Sequence, residues 1–510
     1  MTIFTLGGRA VTIEDVVTAS RGGMHIQVTP EARGRMGQAR AILDDHLARD
    51  IPVYGLNTGL GGNVGHRIAA EDAASLQAEL VLARVAGVGP ALPVEVCRAV
   101  LFCRLVGLAR AGAGVSLQVF DLLADMLARD VIPVIPSHGS TGASDLVQTM
   151  SIAGAAIGEG EVWSAGRVVE SADALRAAGL APGRLAPKDG LSIGSASSVA
   201  AATAALCVAA VEDLIAISVA TAALACQGFG ASPDLFDHRV ASARAGGMQV
   251  AAAGLFRNAL KGTDFFGRSP VKVQDPLSFR ALPQVTGAVL AAHAVTRREA
   301  EIELNAAADN PLVFLHEREI SSSANFLAPS LALAFDTMAI VVTHLATASV
   351  QRSIKLMTGR LSGLAQYLSP VGGASAGFVP MQKSLAALHA EIRLKAAPAS
   401  LDGIVVSDMV EDLATNTVLS IAKLEEQLVL LRWLISIEAM VAAQAVDLRR
   451  ETEPSLLLGP VTGLVHSVVR VASPPLGRDR ATGPDAAAVH ERLWLPGSVS
   501  AIGGLLNERH

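Results

Sequence analysis

Apolar side chains recur at helical spacing over long stretches in the second part of the chain: Ala200–Cys226, Phe279–Leu304, Leu327–Thr358, Ser384–Leu394 and Ala414–Leu448. Periodic runs of more than about 25 residues without obvious caps predict long helices that bury one another in a bundle. Before residue 196 the pattern is shorter and broken by glycine and proline. It predicts helices over Arg33–Arg49, Ala70–Ala86 and Val94–Ala111, with a Gly-rich loop at Tyr54–Gly62. Val131–Pro136 cannot be helical, because each proline disfavours helix in the residue before it. Asp145 stands where a helix N-cap belongs, ahead of an apolar-periodic run to Ile157, and Glu159–Val169 reads as a hairpin. Val471–Asp485 reads as a loop before a short tail. The expectation is a mainly α chain in two parts. Residues 1–195 form a smaller mixed domain, and residues 196–510 a bundle of long central helices.

Composition narrows the class. Hydrophobic residues make up 51% of the 510 and charged residues 17%, which supplies a large core and excludes disorder, collagen and a disulfide scaffold. The net charge of −6, with no long basic run, argues against nucleic-acid binding. Ala200–Cys226 and Leu327–Val350 are apolar enough to be tested as membrane spans. Glu212 and Asp213 interrupt the first, Asp336 and His344 the second. A charge at the centre of a span costs about 2.5–3.5 kcal/mol, so buried helices and no membrane are expected. Cys97, Cys103, Cys207 and Cys226 sit in apolar segments without a CxxC pair, which predicts core thiols and no metal. Met1–Ala10 lacks a basic region followed by an apolar one, so a cytoplasmic location is expected.

Chemistry concentrates in the loops between these helices. Tyr54, in its Gly-rich loop, becomes a general base if its neighbours lower its pKa from about 10; alone it reads first as a turn-capping tyrosine. Gly139-Ser-Thr-Gly-Ala-Ser144 abuts a helix start, where backbone N–H groups can hold an anion, although an ordinary turn has the same composition. Arg280, at the end of Gln274-Asp-Pro-Leu-Ser-Phe-Arg280, is a candidate carboxylate clamp or simply a solvated cation. Lys383 follows the Gly-rich turn Gly372–Pro380, and Glu411 opens Glu411-Asp-Leu-Ala-Thr-Asn416; each alone reads as surface charge.

Taken together the segments say more. Tyr54-Gly-Leu-Asn57-Thr-Gly, Gly139-Ser-Thr-Gly-Ala-Ser144, Gln274-Asp-Pro, Arg280, Asp309-Asn310-Pro-Leu-Val313, Asn325-Phe326 and Glu411-Asp412 resemble, in order and approximate spacing, the successive motifs of histidine and phenylalanine ammonia-lyases. The resemblance covers most of the chain. It implies a histidine ammonia-lyase-like fold, a homotetramer with active sites built from more than one subunit, and elimination of an amine from an amino-acid-like substrate.

The chain departs from that pattern where the chemistry is most demanding. The family's methylidene-imidazolone cofactor forms when an internal Ala-Ser-Gly cyclises, the glycine nitrogen attacking the alanine carbonyl. Here Ala143-Ser144 runs directly into Asp145. Independently, Leu191-Ser-Ile-Gly-Ser195 replaces the family's asparagine-bearing segment, Leu277 a usual tyrosine, and Arg84 a histidine usual in histidine ammonia-lyases. Lys383 occupies a position that is commonly apolar or neutral. These changes imply that no cofactor forms. A primary amine needs the cofactor in order to leave, whereas a trimethylammonium group departs as a neutral amine without help. The expected substrate is therefore a small betaine, and the resemblance to this family implies ergothioneine as the one that fits. In that reading Tyr54 is the base, Arg280 holds the carboxylate with Asn310 or Asn325, Lys383 and Glu411 grip the imidazole-2-thione, and Asn57 and Arg84 line the substrate space. Hercynine, a conventional histidine ammonia-lyase reaction and a non-catalytic binding paralogue are the alternatives.

Overall fold

A computed structural model describes residues 2–244, 246–269, 272–401 and 403–507. Helices dominate it. The long periodic runs fold as Ser198–Phe229, Leu282–Leu304, Pro329–Met357 and Thr417–Thr452, within a few residues of the expected limits. Three described segments are long and apolar enough to cross a membrane, yet 61% to 78% of the most apolar stretch of each is buried within the protein itself. A buried ion pair joins two of them. Arg352 and Glu438, both buried, form a two-pronged ion pair at 2.5 and 2.9 Å, and Ser349 donates to the same carboxylate. The four cysteines are buried, as their apolar surroundings imply.

Local chemistry sets the shorter elements. Thr29 caps Pro30–Ala48 by accepting the Ala32 N–H, and Pro30 occupies a first-turn position where a missing N–H costs nothing. The hairpin pairs Glu161–Ser164 with Arg167–Glu170 around Ala165 and Gly166, both at positive φ, the turn that suits the twist of paired strands. Other expectations needed correction. The helix expected over 70–86 contracts to Leu76–Leu82, because Ser75 makes no capping bond and the preceding residues form turns. The loop expected over 471–485 contracts to 473–481 between the helices Pro460–Ala472 and Thr482–Leu493, and the tail continues as the helix Pro496–Asn507.

The chain divides into two compact units. The first contains residues 1–209, 296–336 and 398–422, and the second residues 210–295, 337–397 and 423–510. Two segments that a linear cut near 195 assigns to the bundle thus fold with the N-terminal part. They are the ones that carry Asn310, Asn325 and Glu411.

Candidate active site

Three loops of the first unit meet around Tyr54. Gly55 adopts a left-handed φ of +69°, and a Cβ there would stand 2.3 Å from Leu191 Cδ2, so only glycine lets the tyrosine loop lie against Leu191. On its other side the loop abuts Asp408, whose Cβ lies 2.9 Å from where a Gly62 Cβ would be. Asp408 belongs to the turn 407–409, three consecutive non-glycine residues at positive φ, with Val410 between it and Glu411. The Gly139–Asp145 loop joins from below. The Asn416 N–H donates to the Thr141 carbonyl at 2.9 Å, and Gly142 leaves room for the Thr415 hydroxyl.

The electrostatics link Tyr54, Glu411 and Arg84. Burial pushes the Tyr54 phenol above its usual value. The Gly61 N–H, donating to the phenol oxygen at 2.9 Å, pulls it down; the Glu411 charge pushes it up and the Arg84 charge opposes that. The expected lowering of the Tyr54 pKa is therefore not found, because burial outweighs its favourable neighbours. Burial also lowers the Arg84 pKa, and its guanidinium donates to the Leu80 carbonyl at 3.1 Å.

The Ala143-Ser144 loop is tied down by the residue that follows it. The Ser140 hydroxyl donates to Asp145 Oδ1 at 2.7 Å, and Val199 N and Ala200 N each donate to Oδ2 at 2.9 Å. Asp145 thus makes no side-chain capping bond to its own helix, Leu146–Ala156, and caps the long helix Ser198–Phe229 instead. Its backbone N–H donates to the Ala196 carbonyl at 2.7 Å. Burial pushes the Asp145 carboxyl up to about 6 against these hydrogen bonds. Glu303, hydrogen-bonded by the Ser197 hydroxyl, is pushed up to about 7, by burial first and by the Asp145 charge as well.

The remaining predicted residues separate into distinct roles. Asn57 is fully buried. Its carbonyl accepts the Val53 N–H at 2.8 Å and its amide donates to the Ile51 carbonyl at 3.0 Å, so it shapes the tyrosine loop. Asn310 accepts the Ser323 N–H at 3.0 Å, and the Ser323 hydroxyl accepts the Asn325 N–H, which joins the two asparagines in one turn while the Asn325 side chain stays exposed. Arg280 and Lys383 belong to the second unit. Arg280 lines a cavity of about 530 Å³ with Gln274 and Leu277, and its buried Nε has no hydrogen-bond partner. Lys383 is exposed in the first turn of Met381–Lys395 and has no partner among the described residues. A cation there opposes the helix dipole. Asp479, which sequence reasoning missed, anchors the preceding turn by accepting from Ser375, Ala376 and Gly377.

Sequence reasoning also missed a buried polar network in the first unit. The Lys188 ammonium donates to the Ala113 carbonyl at 2.7 Å, and Arg104 bridges the Ser192 carbonyl and Asp309 Oδ1 at 2.5 and 2.7 Å. Burial lowers Lys188 to about 8, with the Asp309 charge opposing. The one available signal was a Lys-Asp pair inside an otherwise apolar stretch.

The aromatic amino acid lyase family model matches residues 11–471. The chain belongs to that family. The histidine ammonia-lyase of Anaeromyxobacter sp. (strain K) is 36% identical over 501 residues, covering 96% of this chain and 98% of its own. Among solved structures, the ergothioneine-degrading enzyme ergothionase from Treponema denticola, in complex with desmethyl-ergothioneine sulfonic acid, superposes with a TM-score of 0.93 at 32% identity, covering 99% and 100% of the two chains. Histidine ammonia-lyase from Trypanosoma cruzi gives 0.89 at 27% identity, covering 100% and 96%. The fold is thus the mainly α one of the lyase family, and the chain is a lyase of ammonia-lyase type.

Proposed function

We propose that this lyase eliminates trimethylamine from ergothioneine to give thiourocanate, and that it does so without methylidene-imidazolone. The observation that carries the proposal is Asp145. The glycine whose nitrogen would close the cofactor ring is missing, and the residue after Ser144 is held by four hydrogen bonds, three to its carboxylate and one from its N–H. These residues do not fit the cofactor, and a reaction that needs none explains them. The likeness to Treponema denticola ergothionase supports the same substrate.

In the proposed mechanism Tyr54, as phenolate, takes the β-proton. The electron pair of that C–H bond becomes the new C=C bond, and the α-carbon–nitrogen bond breaks with its pair leaving on neutral trimethylamine. The cationic head group offsets the burial and the Glu411 charge that hold the phenol pKa up, so substrate binding itself promotes the phenolate. Lys383 faces the thione sulfur, where charge accumulates, and Glu411 accepts a ring N–H; charge placed where it develops is usually the largest catalytic contribution. Arg280 takes the carboxylate with Asn310 or Asn325. Copies of the chain assemble into a homotetramer in which Arg280 and Lys383 complete sites built around Tyr54. The exposed apolar side chains beside Glu411, Leu401, Ile404, Met409 and Leu413, support such burial.

The test is purified protein with ergothioneine, following near-ultraviolet absorbance of the conjugated product and assaying trimethylamine. Equal release of both is expected. The names of the curated relatives favour histidine as a second reading, so L-histidine and hercynine run alongside; turnover of either in preference to ergothioneine overturns the substrate assignment.

A further inference from the structure

Away from these loops, the first unit contains a cavity of about 240 Å³ between the turn Gly7–Val11, the helix Pro30–Ala48 and the end of the helix Val94–Leu108. Three arginines line it, Arg9, Arg35 and Arg110, and no carboxylate does. Arg9 is neutralised by a two-pronged pair with Asp15 at 2.6 and 2.7 Å, while the neighbouring Glu14 pairs with Arg297. The other two cations are not matched. Arg110 donates to the neutral Asn305 carbonyl at 2.5 Å, and Arg35 has no ion pair or hydrogen-bonded partner among the described residues. Arg35 and Arg110 repel each other closely enough that, after burial, Arg35 is the second cause lowering the Arg110 pKa.

An ordinary surface reading covers only part of this. Arg110 follows a helix C-terminus, where a cation is favourable, and Arg9 has its aspartate. Neither explains why Arg35, in the middle of a different helix, shares the cavity with a second unmatched guanidinium. Two guanidinium groups lining one concave space, with no carboxylate beside them, offer N–H donors of the kind that bind a tetrahedral oxyanion.

We infer that the cavity between Arg9, Arg35 and Arg110 binds a phosphate-type oxyanion, as free phosphate or as the phosphate group of a small metabolite. The anion neutralises the Arg35–Arg110 repulsion, and the volume leaves space for a short organic substituent. The site is independent of the lyase reading, because none of its residues belongs to the reaction proposed above.

Titration calorimetry tests it on the intact protein with inorganic phosphate and with glycerol 3-phosphate, at constant ionic strength set with chloride so that general screening is held fixed. Saturable binding of one anion per chain is expected. Binding of both probes assigns the phosphate group as the ligand, and binding of inorganic phosphate alone assigns the free ion. The exposed pair Arg35→Gln and Arg110→Gln should together weaken binding by at least about tenfold, the loss of roughly one charged contact, while turnover and melting temperature stay at the parent values. No saturable binding of either probe overturns the proposal. So does binding that the double variant retains, since the anion would then sit elsewhere.

Discussion

At the scale of single residues, the candidate loop is a balance of charges around one largely buried phenol. Glu411 raises the Tyr54 pKa and Arg84 lowers it, so a reaction that uses the phenolate should show kcat/KM rising on the alkaline side. Glu411→Gln removes a negative neighbour and should move that limb to lower pH, whereas Arg84→Met should move it to higher pH. A limb that stays put in both variants would exclude Tyr54 as the titrating group. Lys383→Met should cut kcat/KM for ergothioneine by more than about tenfold with little effect on melting temperature, since the side chain is exposed and unpaired; an unchanged value removes it from the site. Tyr54, Arg280 and Glu411 were legible as candidates because their motifs stand in a family's order. That Asn57 also holds its own loop was not legible for a physical reason: an amide in a tight loop serves its own backbone as readily as a ligand, and sequence does not reveal which.

At the scale of elements, two buried polar arrangements hold the long helices in place. Asp145 and Glu303 titrate near 6 and 7 in the folded protein but near 4 when unfolded. Between about pH 4 and 7 the unfolded chain therefore releases protons that the folded chain keeps, and stability falls as pH rises through that window. Glu303→Gln, which preserves an acceptor for Ser197, should flatten the fall in melting temperature between pH 5 and 7; an identical slope would show that Glu303 does not titrate there. The Arg352–Glu438 pair is the second arrangement. Arg352→Met strands a buried carboxylate and should cost about 3–5 kcal/mol, measurable by denaturant unfolding, and a loss below about 1 kcal/mol would mean that water reaches the site. Hydrophobic periodicity located the long helices well because their apolar faces are wide. It overran at 70–86, where capping decides whether short segments become helical.

At the scale of the whole molecule, the site residues fall into two groups. Tyr54, Arg84, Asn310, Asn325 and Glu411 fold in one unit, and Arg280 and Lys383 in the other. If copies of the chain complete one another, two inactive variants should rescue each other. Tyr54→Phe and Arg280→Met, each nearly dead alone, should regain activity when unfolded together and refolded as a mixture, because some hybrid sites then carry both native side chains. A mixture as inactive as its parents would place both residues in the same copy's site.

The sequence by itself determined the helical class, the burial of the long apolar runs, the motif order that marks the lyase family and the missing glycine after Ser144. These are local or periodic properties, written wherever a residue's neighbours in the chain decide its environment. Tertiary structure decided which loops meet, that segments around 310 and 411 fold with the N-terminal part, that Asp145 caps a helix more than 50 residues away, and that burial pushes the Tyr54 pKa up. Those outcomes depend on burial and on charges brought close by folding, and neither separation along the chain nor residue type encodes the distances that set them.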